Sequence, residues 1–377
     1  MRTVDAAGLS IGDDHPPRIM GVLNVSSESP YKPSVFDDAA AAARYVDEDL
    51  IDEGADIVDV GLESANKKFE VLSAQQELDR LDTAIDAIES VSGDAVFSIE
   101  TRYHEVAEAA LDRGFDMVND ICGFADPQMP AVCAEYDVAV GKMASPPDLE
   151  RPGAVEEVDD IYDALFQNGL TEKTLVDPAF GGWSEAKTLE DDRETFHRLR
   201  EFRAIGQPIL VSINRKNFLR DIAGRETEEA LPVSLAATSM AVERGAHVVR
   251  THDVRETRDA ALVGKEFARP RVRDDGVEEL DVTTVVEAQR HFAGGPSDAE
   301  VAVDPEAGVA RLFALDLSPE ARESLRSAVA ETGAVVAAAG TRMVLGGSVA
   351  DLRAVAERVT GPPELADALA RVREGCR

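Results

Sequence analysis

The chain has 377 residues, 44% of them hydrophobic, which suffices for one large core or two moderate ones and excludes a disordered polymer. Its 39 Lys and Arg stand against 73 Asp and Glu, a net charge of −34 with no basic stripe, so a nucleic-acid partner is disfavoured. The carboxylates are spread along helix-like segments such as 46–49 and 188–192, an even acidic coat suited to a halophile's cytoplasm, where salt screens self-repulsion.

In chain order, an N-terminal arm (1–17) precedes a long stretch in which short β-branched runs alternate with amphipathic helical patterns. Strands are predicted near 18–25, 56–61, 95–101, 117–122, 139–143, 174–180, 208–213 and 247–253. Helices are predicted near 36–53, 73–91, 104–113, 127–136, 155–169, 187–205, 229–245 and 255–267. Glu53-Gly54, Arg113-Gly114 and Arg244-Gly245 each close a helix directly before the next strand. Eight strand–helix units over 18–268 suit a (β/α)8 barrel. Periodicity alone leaves an open doubly wound sheet in play. Residues 269–300 read as a linker with one helix near 281–292. Residues 301–377 read as a small α/β extension: a strand at 310–317, a helix at 319–332, a strand pair at 334–340 and 343–347, and a helix at 350–359. Gly346-Gly347 is expected to be a turn, and this unit a packing, dimerisation or partner-binding appendage.

Cys122, Cys133 and Cys376 have neither the spacing of a zinc site nor that of a disulfide framework, and Cys122 reads as a buried small hydrophobe. No basic n-region with an apolar core opens the chain and no apolar run approaches transmembrane length, so a cytoplasmic protein is expected, with no membrane partner.

Four apolar runs end in polar groups: Asn24, Asn119-Asp120, Asp177, and Arg250-Thr251-His252. A core strand has no reason to end so, whereas a barrel builds its binding site there. That pattern favours the closed barrel over the open sheet. Asn24, entering the Ser/Pro-rich loop 26–34, could ligate Mg²⁺, steady a diphosphate, or simply cap. Glu100, Asn119 and Asp177 offer the acceptors that a nitrogen-rich heterocycle such as a pterin needs, and Asn119 also donates. Helix capping competes as a reading for Asp120, less so for Asp177 before proline. Arg215 and Lys216 follow the seventh strand, and Arg250 and His252 share one face of the eighth, a cationic cluster suited to phosphate or diphosphate.

With these residues assembled, the chain resembles the dihydropteroate synthases of the pterin-binding barrel group. The resemblance runs from Ile19 to about Val263. It rests on Met20-Gly21-Val22-Leu23-Asn24-Val25, Gly54-Ala55-Asp56-Ile57-Val58-Asp59-Val60-Gly61 with Glu63-Ser64, Asn119-Asp120, Asp177-Pro178, Arg215-Lys216 and Arg250-Thr251-His252-Asp253. It implies a pterin pocket of Asn119, Asp177 and Lys216, with Glu100 where the family has Asp. It also implies that Asn24, Arg250 and His252 hold Mg²⁺ and the leaving diphosphate. The implied reaction joins a dihydropterin-CH2-diphosphate to an arylamine, p-aminobenzoate in the family, with Arg250, His252 and Lys216 as the catalytic groups. A homodimer is the expected assembly. Two stretches depart from the family pattern: the first loop, and Leu62-Glu63-Ser64-Ala65-Asn66-Lys67-Lys68, where Thr and Arg are missing. So does Ala179-Phe180-Gly181-Gly182-Trp183. These leave the acceptor amine open, and keep two alternatives alive: a non-catalytic or differently specialised pterin-binding paralogue, and methyl transfer from a methylated pterin to a corrinoid protein.

Overall fold

A hairpin, β1 (Val4–Ala6) and β2 (Leu9–Ile11), opens the chain and buries Val4, Ala6 and Ile11 away from solvent. The structure is a computed structural model that describes residues 1–26, 34–36, 38–63, 71–146, 148, 155–181, 186–274, 276–339 and 342–376. It divides into two units, Met1–Pro270 and Arg271–Arg377.

The first unit alternates β3 (Arg18–Asn24), α1 (Ala39–Tyr45), β4 (Ile57–Gly61), α2 (Ala74–Glu89), β5 (Val96–Thr101), α3 (His104–Leu111), β6 (Met117–Asp120) and α4 (Met129–Glu135). It continues through β7 (Ala139–Met143), α5 (Val158–Phe166), β8 (Thr174–Asp177), α6 (Leu189–His197), β9 (Ile209–Val211), α7 (Asn217–Ala223), α8 (Leu231–Glu243), β10 (Ala246–Thr251) and α9 (Val254–Glu266). The eight strands β3 to β10 form a closed parallel barrel, sealed where β10 pairs with both β3 and β9. Local chemistry sets the boundaries. Capping boxes start α2 at Ser73/Gln76 and α6 at Thr188/Asp191. Gly54, Gly114 and Gly245 take φ of 104°, 100° and 107° at the turns that end their helices.

Alternation along the strands sorts side chains into two cores. Val58, Val60, Ile99, Val118, Val140 and Val249 face outward into the helices. Met20, Ile57, Val96, Met117, Ala139, Leu175, Leu210 and Val248 face inward and pack with the hairpin's Val4, Ala6 and Ile11 as an apolar floor. The N-terminal arm of the sequence reading is therefore the barrel's bottom plug.

Four further differences from the sequence reading follow. The loop after β9 contains α7, which Gly224 ends at φ 61°. Residues 269–300 hold β11 (Arg273–Asp274), β12 (Val277–Glu278) and α10 (Val285–Ala293), and Ala288 of α10 joins the second unit's core. That unit continues with β13 (Ala310–Leu315), α11 (Pro319–Val329), β14 (Val335–Ala339), β15 (Arg342–Ser348), α12 (Val349–Arg358) and α13 (Pro363–Gly375). Its antiparallel sheet has the order β13-β15-β14. Gly346-Gly347 lie inside β15, both paired to β13 and Gly346 also to β14, rather than in a turn. Helix α13 went unpredicted although Leu365, Leu369 and Val372 recur at helical spacing and are all buried.

Candidate active site

Above the apolar floor, each strand's next inward position lies two residues on. Those positions are Val22, Asp59, Ser98, Asn119, Gly141, Asp177, Ser212 and Arg250, a mostly polar layer. One step higher come Asn24, Gly61, Glu100 and His252 at the rim. The ladder register places Asn24 beside Gly61, Gly61 beside Glu100, Glu100 beside Asn119, and Asn119 beside Gly141. The glycine at 141 has a steric reason: a Cβ there would come within 2.9 Å of Asn119 Oδ1.

Arg250 is the hub of this layer. Its Nε donates to Asp59 Oδ2 at 2.7 Å and its Nη2 to Glu100 Oε2 at 2.5 Å. Asn119 Nδ2 donates to the same Asp59 oxygen at 3.0 Å. Burial pushes Glu100 up to about 7, with Arg250 pulling the other way. Burial likewise raises Asp177 to about 6, against a 2.8 Å hydrogen bond from the Ala179 N–H and the charge of Lys216. Lys216 falls to about 8 for the same reason, burial, with Asp177 opposing. A Cβ at Gly181 would meet Lys216 Nζ at 2.9 Å, so the ammonium lies against the loop that follows Asp177. That loop is held from behind by buried Lys187, which donates to Ala179 O at 2.9 Å and pairs with Asp192. Below it Phe180, Phe196 and Phe218 pack ring to ring.

The structure brings Glu100, Asn119 and Arg250 into one network and places Arg215 and His252 in settings of their own. Arg215 is spent elsewhere: Nε and Nη2 form a fork on Asp253 at 2.8 Å each, and Nη1 donates to Thr227 O and Glu228 O. It anchors its own loop, so a diphosphate would meet a guanidinium already committed. His252 is no cation either. Burial, reinforced by Arg250, lowers it to about 3, leaving a neutral imidazole. Asp120 holds the turn after β6 rather than capping the next helix: its Oδ1 accepts from the N–H groups of Cys122 and Phe124, while α4 begins at Met129 with Gln128 before it. Cys122 is buried, its thiol pushed far up by burial. Ser27–Pro33 of the first loop, Ser64, Ala65, Asn66, Lys67, Lys68, Gly182 and Trp183 lie outside the described residues.

Sequence reasoning missed Asp59, an acid inside the apolar run Ile57-Val58-Asp59-Val60 whose inward direction only the barrel reveals. It also missed Arg102, whose buried guanidinium donates to Glu63 Oε2 at 2.5 Å and to Leu72 O at 2.9 Å. Glu63 Oε1 accepts from the Leu72 N–H at 3.0 Å. This clasp ties together the residues on either side of 64–70. At the barrel's other end, His247 Nε2 meets Asp13 Oδ1 at 3.1 Å while Ile209 N–H donates to His247 Nδ1 at 3.0 Å. Arg203 completes that cluster at 2.8 Å from Asp13. Among the described residues, His104, Glu105 and Asp126 also converge. There Asp126 already accepts from the N–H groups of His104 and Gln128, which marks a helix start rather than a metal site.

A parallel barrel with a closed floor and a well of acids, amides and one bracketed arginine defines a barrel enzyme that takes a small polar ligand at its strand ends. Residues 20–252 match the family model described as pterin binding enzyme. The chain is 35% identical over 289 residues to the probable bifunctional folylpolyglutamate synthase/dihydropteroate synthase of Haloferax volcanii, covering 71% of this chain and 33% of that protein. It thus spans about a third of that relative's length. It is 32% identical over 250 residues to the dihydropteroate synthase of Clostridium beijerinckii, covering 64% of this chain and 91% of that protein. The dihydropteroate synthase of Coxiella burnetii in complex with pteroic acid superposes with a TM-score of 0.57 at 30% identity, covering 70% of this chain and 98% of that one. The chain belongs to the pterin-binding enzyme family, as a barrel of the dihydropteroate synthase type.

Proposed function

We propose that this chain is a transferase that joins a dihydropterin-CH2-diphosphate to an arylamine and releases diphosphate. The observation that supports it most is the single buried network of Arg250, Asp59, Glu100 and Asn119 at the strand ends, with Asp177 and Lys216 beside it. In this reading Asn119, Asp177, Glu100 and Lys216 receive the pterin, whose paired N–H donors a carboxylate accepts. Arg250 meets the diphosphate, and neutral His252 serves it as a hydrogen-bond donor. The CH2–O bond breaks with its electron pair leaving on diphosphate, the amine nitrogen bonds to the CH2 carbon, and the amine loses a proton. Positioning and charge stabilisation carry the step, and no enzyme nucleophile is required. Similarity to a synthase whose complex contains pteroic acid, a pterin joined to aminobenzoate, favours this direction.

The residues fit the expected Mg²⁺. The Asn24 amide nitrogen donates to Ser34 Oγ at 2.9 Å. Its Oδ1 lies over Gly61, 3.1 Å from where a Cβ would stand, with Glu100 Oε1 3.8 Å from that point. These are hard oxygen donors of the kind Mg²⁺ takes, with Asn24 as the residue to hold it. When bound, the ion would neutralise charge on the leaving diphosphate.

Three coarser inferences accompany the reaction. The acidic coat and the Haloferax relative support a halophile's protein. Stability should rise towards about 1 M salt, where the screening length falls to about 3 Å; denaturant melts showing the reverse would reject it. Met240, Leu262, Val263 and Phe267 are exposed on or just beyond α8 and α9, which supports a homodimer, testable by light scattering with Phe267→Asp. Free buried cysteines suit a reducing cytoplasm, and no helix among the described residues is long and apolar enough to cross a membrane.

The test of the reaction is incubation with the pterin diphosphate, Mg²⁺ and a panel of arylamines at high salt, following diphosphate. Amine-dependent release is expected. Calorimetric binding of the pterin diphosphate with no release for any amine would instead favour a non-catalytic pterin-binding paralogue. Methyl transfer, which has no diphosphate to hold, leaves Arg250 without a task.

A further inference from the structure

Asp59 is fully buried in the middle of β4, in the same inward layer as Asn119 and Asp177 and one step below Glu100. A buried carboxylate is expensive unless its charge and lone pairs are used. Here one oxygen, Oδ2, takes both Arg250 Nε from β10 and Asn119 Nδ2 from β6. The other, Oδ1, has no partner among the described residues, nor has Oγ of Ser98, its register neighbour on β5. A carboxylate only accepts, so Asn119 must turn its NH2 towards Asp59. The carboxamide oxygen and the second N–H are thereby left for a ligand. The same carboxylate fixes Arg250 by Nε, which turns the Nη end towards the rim, where Nη2 meets Glu100.

We propose that Asp59 is a positioning residue for the transfer: it sets which edge Asn119 presents to the pterin and aims Arg250 at the diphosphate. The inference rests on the reaction proposed above. An Asn at 59 would keep the volume but could accept from one donor while offering its own N–H to the other, so both orientations of Asn119 become available.

The experiment compares the whole wild-type chain with Asp59→Asn. It measures kcat and KM for the pterin diphosphate with an accepted arylamine, calorimetric affinity for a pterin lacking phosphate, and thermal midpoint. Bare-pterin affinity should fall about tenfold through Asn119, and kcat about 10²-fold through Arg250. Asp59→Asn added to Asn119→Ala should weaken bare-pterin binding no further than Asn119→Ala alone, a non-additivity that a purely structural role does not produce. A lowered midpoint with unchanged kcat and pterin affinity, or fully additive losses, would overturn the proposal. If Asp59→Asn does not fold, Arg250→Lys carries the test, since it keeps the charge but has no Nε to give Asp59. A kcat within about threefold of wild type would then be decisive against it. If the wild type neither binds pterin nor releases diphosphate, the proposed reaction falls instead. Crystal structures of unliganded wild type and Asp59→Asn then decide the positioning role, which is refuted if Arg250 and Asn119 do not move.

Discussion

Strand β10 carries a basic side chain near each end, a buried imidazole at one and a part-buried guanidinium at the other, and the two are treated differently. At the floor, His247 has both ring nitrogens occupied, one by Asp13 and one by a backbone N–H, and Arg203 closes the cluster. Three residues on, Arg250 is bracketed by Asp59 and Glu100, yet Asp59 Oδ1 and Ser98 Oγ beside it lack partners among the described residues. The lower cluster resembles a catalytic Asp–His pair but has no free nitrogen with which to move a proton. A satisfied buried network holds a fold together; one left short of partners is prepared for something else.

The widest separation of the two ends should come from Arg250→Ala against Asp13→Asn. Arg250→Ala should reduce turnover by about 10²-fold or more and also lower the melting midpoint, because Asp59 and Glu100 then face each other unneutralised. Asp13→Asn should cost about 3 kcal/mol of stability while kcat and KM of the folded enzyme stay put. In the fold Asp13 is held well below the usual carboxylate range by His247 and Arg203, against the effect of burial. A drop in kcat for Asp13→Asn measured well below its melting temperature would erase the distinction.

A smaller effect sharpens it at the rim. Asp177→Asn should weaken pterin binding by about 2–3 kcal/mol, since a charged acceptor becomes an amide with one mismatched edge. Its Asx turn onto Ala179 predicts only a minor change in stability, and both are measurable on one sample by calorimetry and thermal melts. In the wild type, pterin affinity should decline as pH falls through 7 to 6, where Glu100 and Asp177 take up protons. Affinity that strengthens across that interval would mean the ligand accepts from these groups rather than donating to them.

Much of this was visible in the residues and some was not. Asn24, Asn119, Asp177 and Arg250 could be found because polarity at the end of an apolar strand breaks its pattern. Asp59 and Ser98 lie mid-strand, where inward and outward acids look alike until the floor residues fix which face is inside. The fork of Arg215 on Asp253 was not legible, because adjacency to Lys216 says nothing about direction and Asp253 lies 38 residues away at the start of α9. The Asp13–His247 pairing joins residues 234 positions apart, which no local pattern reveals.

The mildest prediction concerns a buried carboxyl outside the well. Glu77 on α2 accepts from Thr101 Oγ1 at 2.6 Å, near Arg102 but outside the well, and burial raises it from 4.5 to about 7. Because the folded chain holds this proton more tightly than the unfolded one, its contribution is full below about pH 4.5 and lost as pH rises through about 7. Glu77→Gln should therefore flatten the fall in stability between pH 5 and pH 8 (roughly the span bracketing this shift), with pterin affinity unchanged. A variant curve parallel to the wild type's would assign the slope to other carboxyls.

The hairpin under the barrel governs traffic as well as packing. With Val4, Ala6 and Ile11 stoppering the lower end, the described residues leave the well to be reached from the strand ends. In the proposed reaction two substrates and two products share that end, and departing diphosphate crosses the path of the incoming amine, so the plug would order arrivals and departures as much as affinity does.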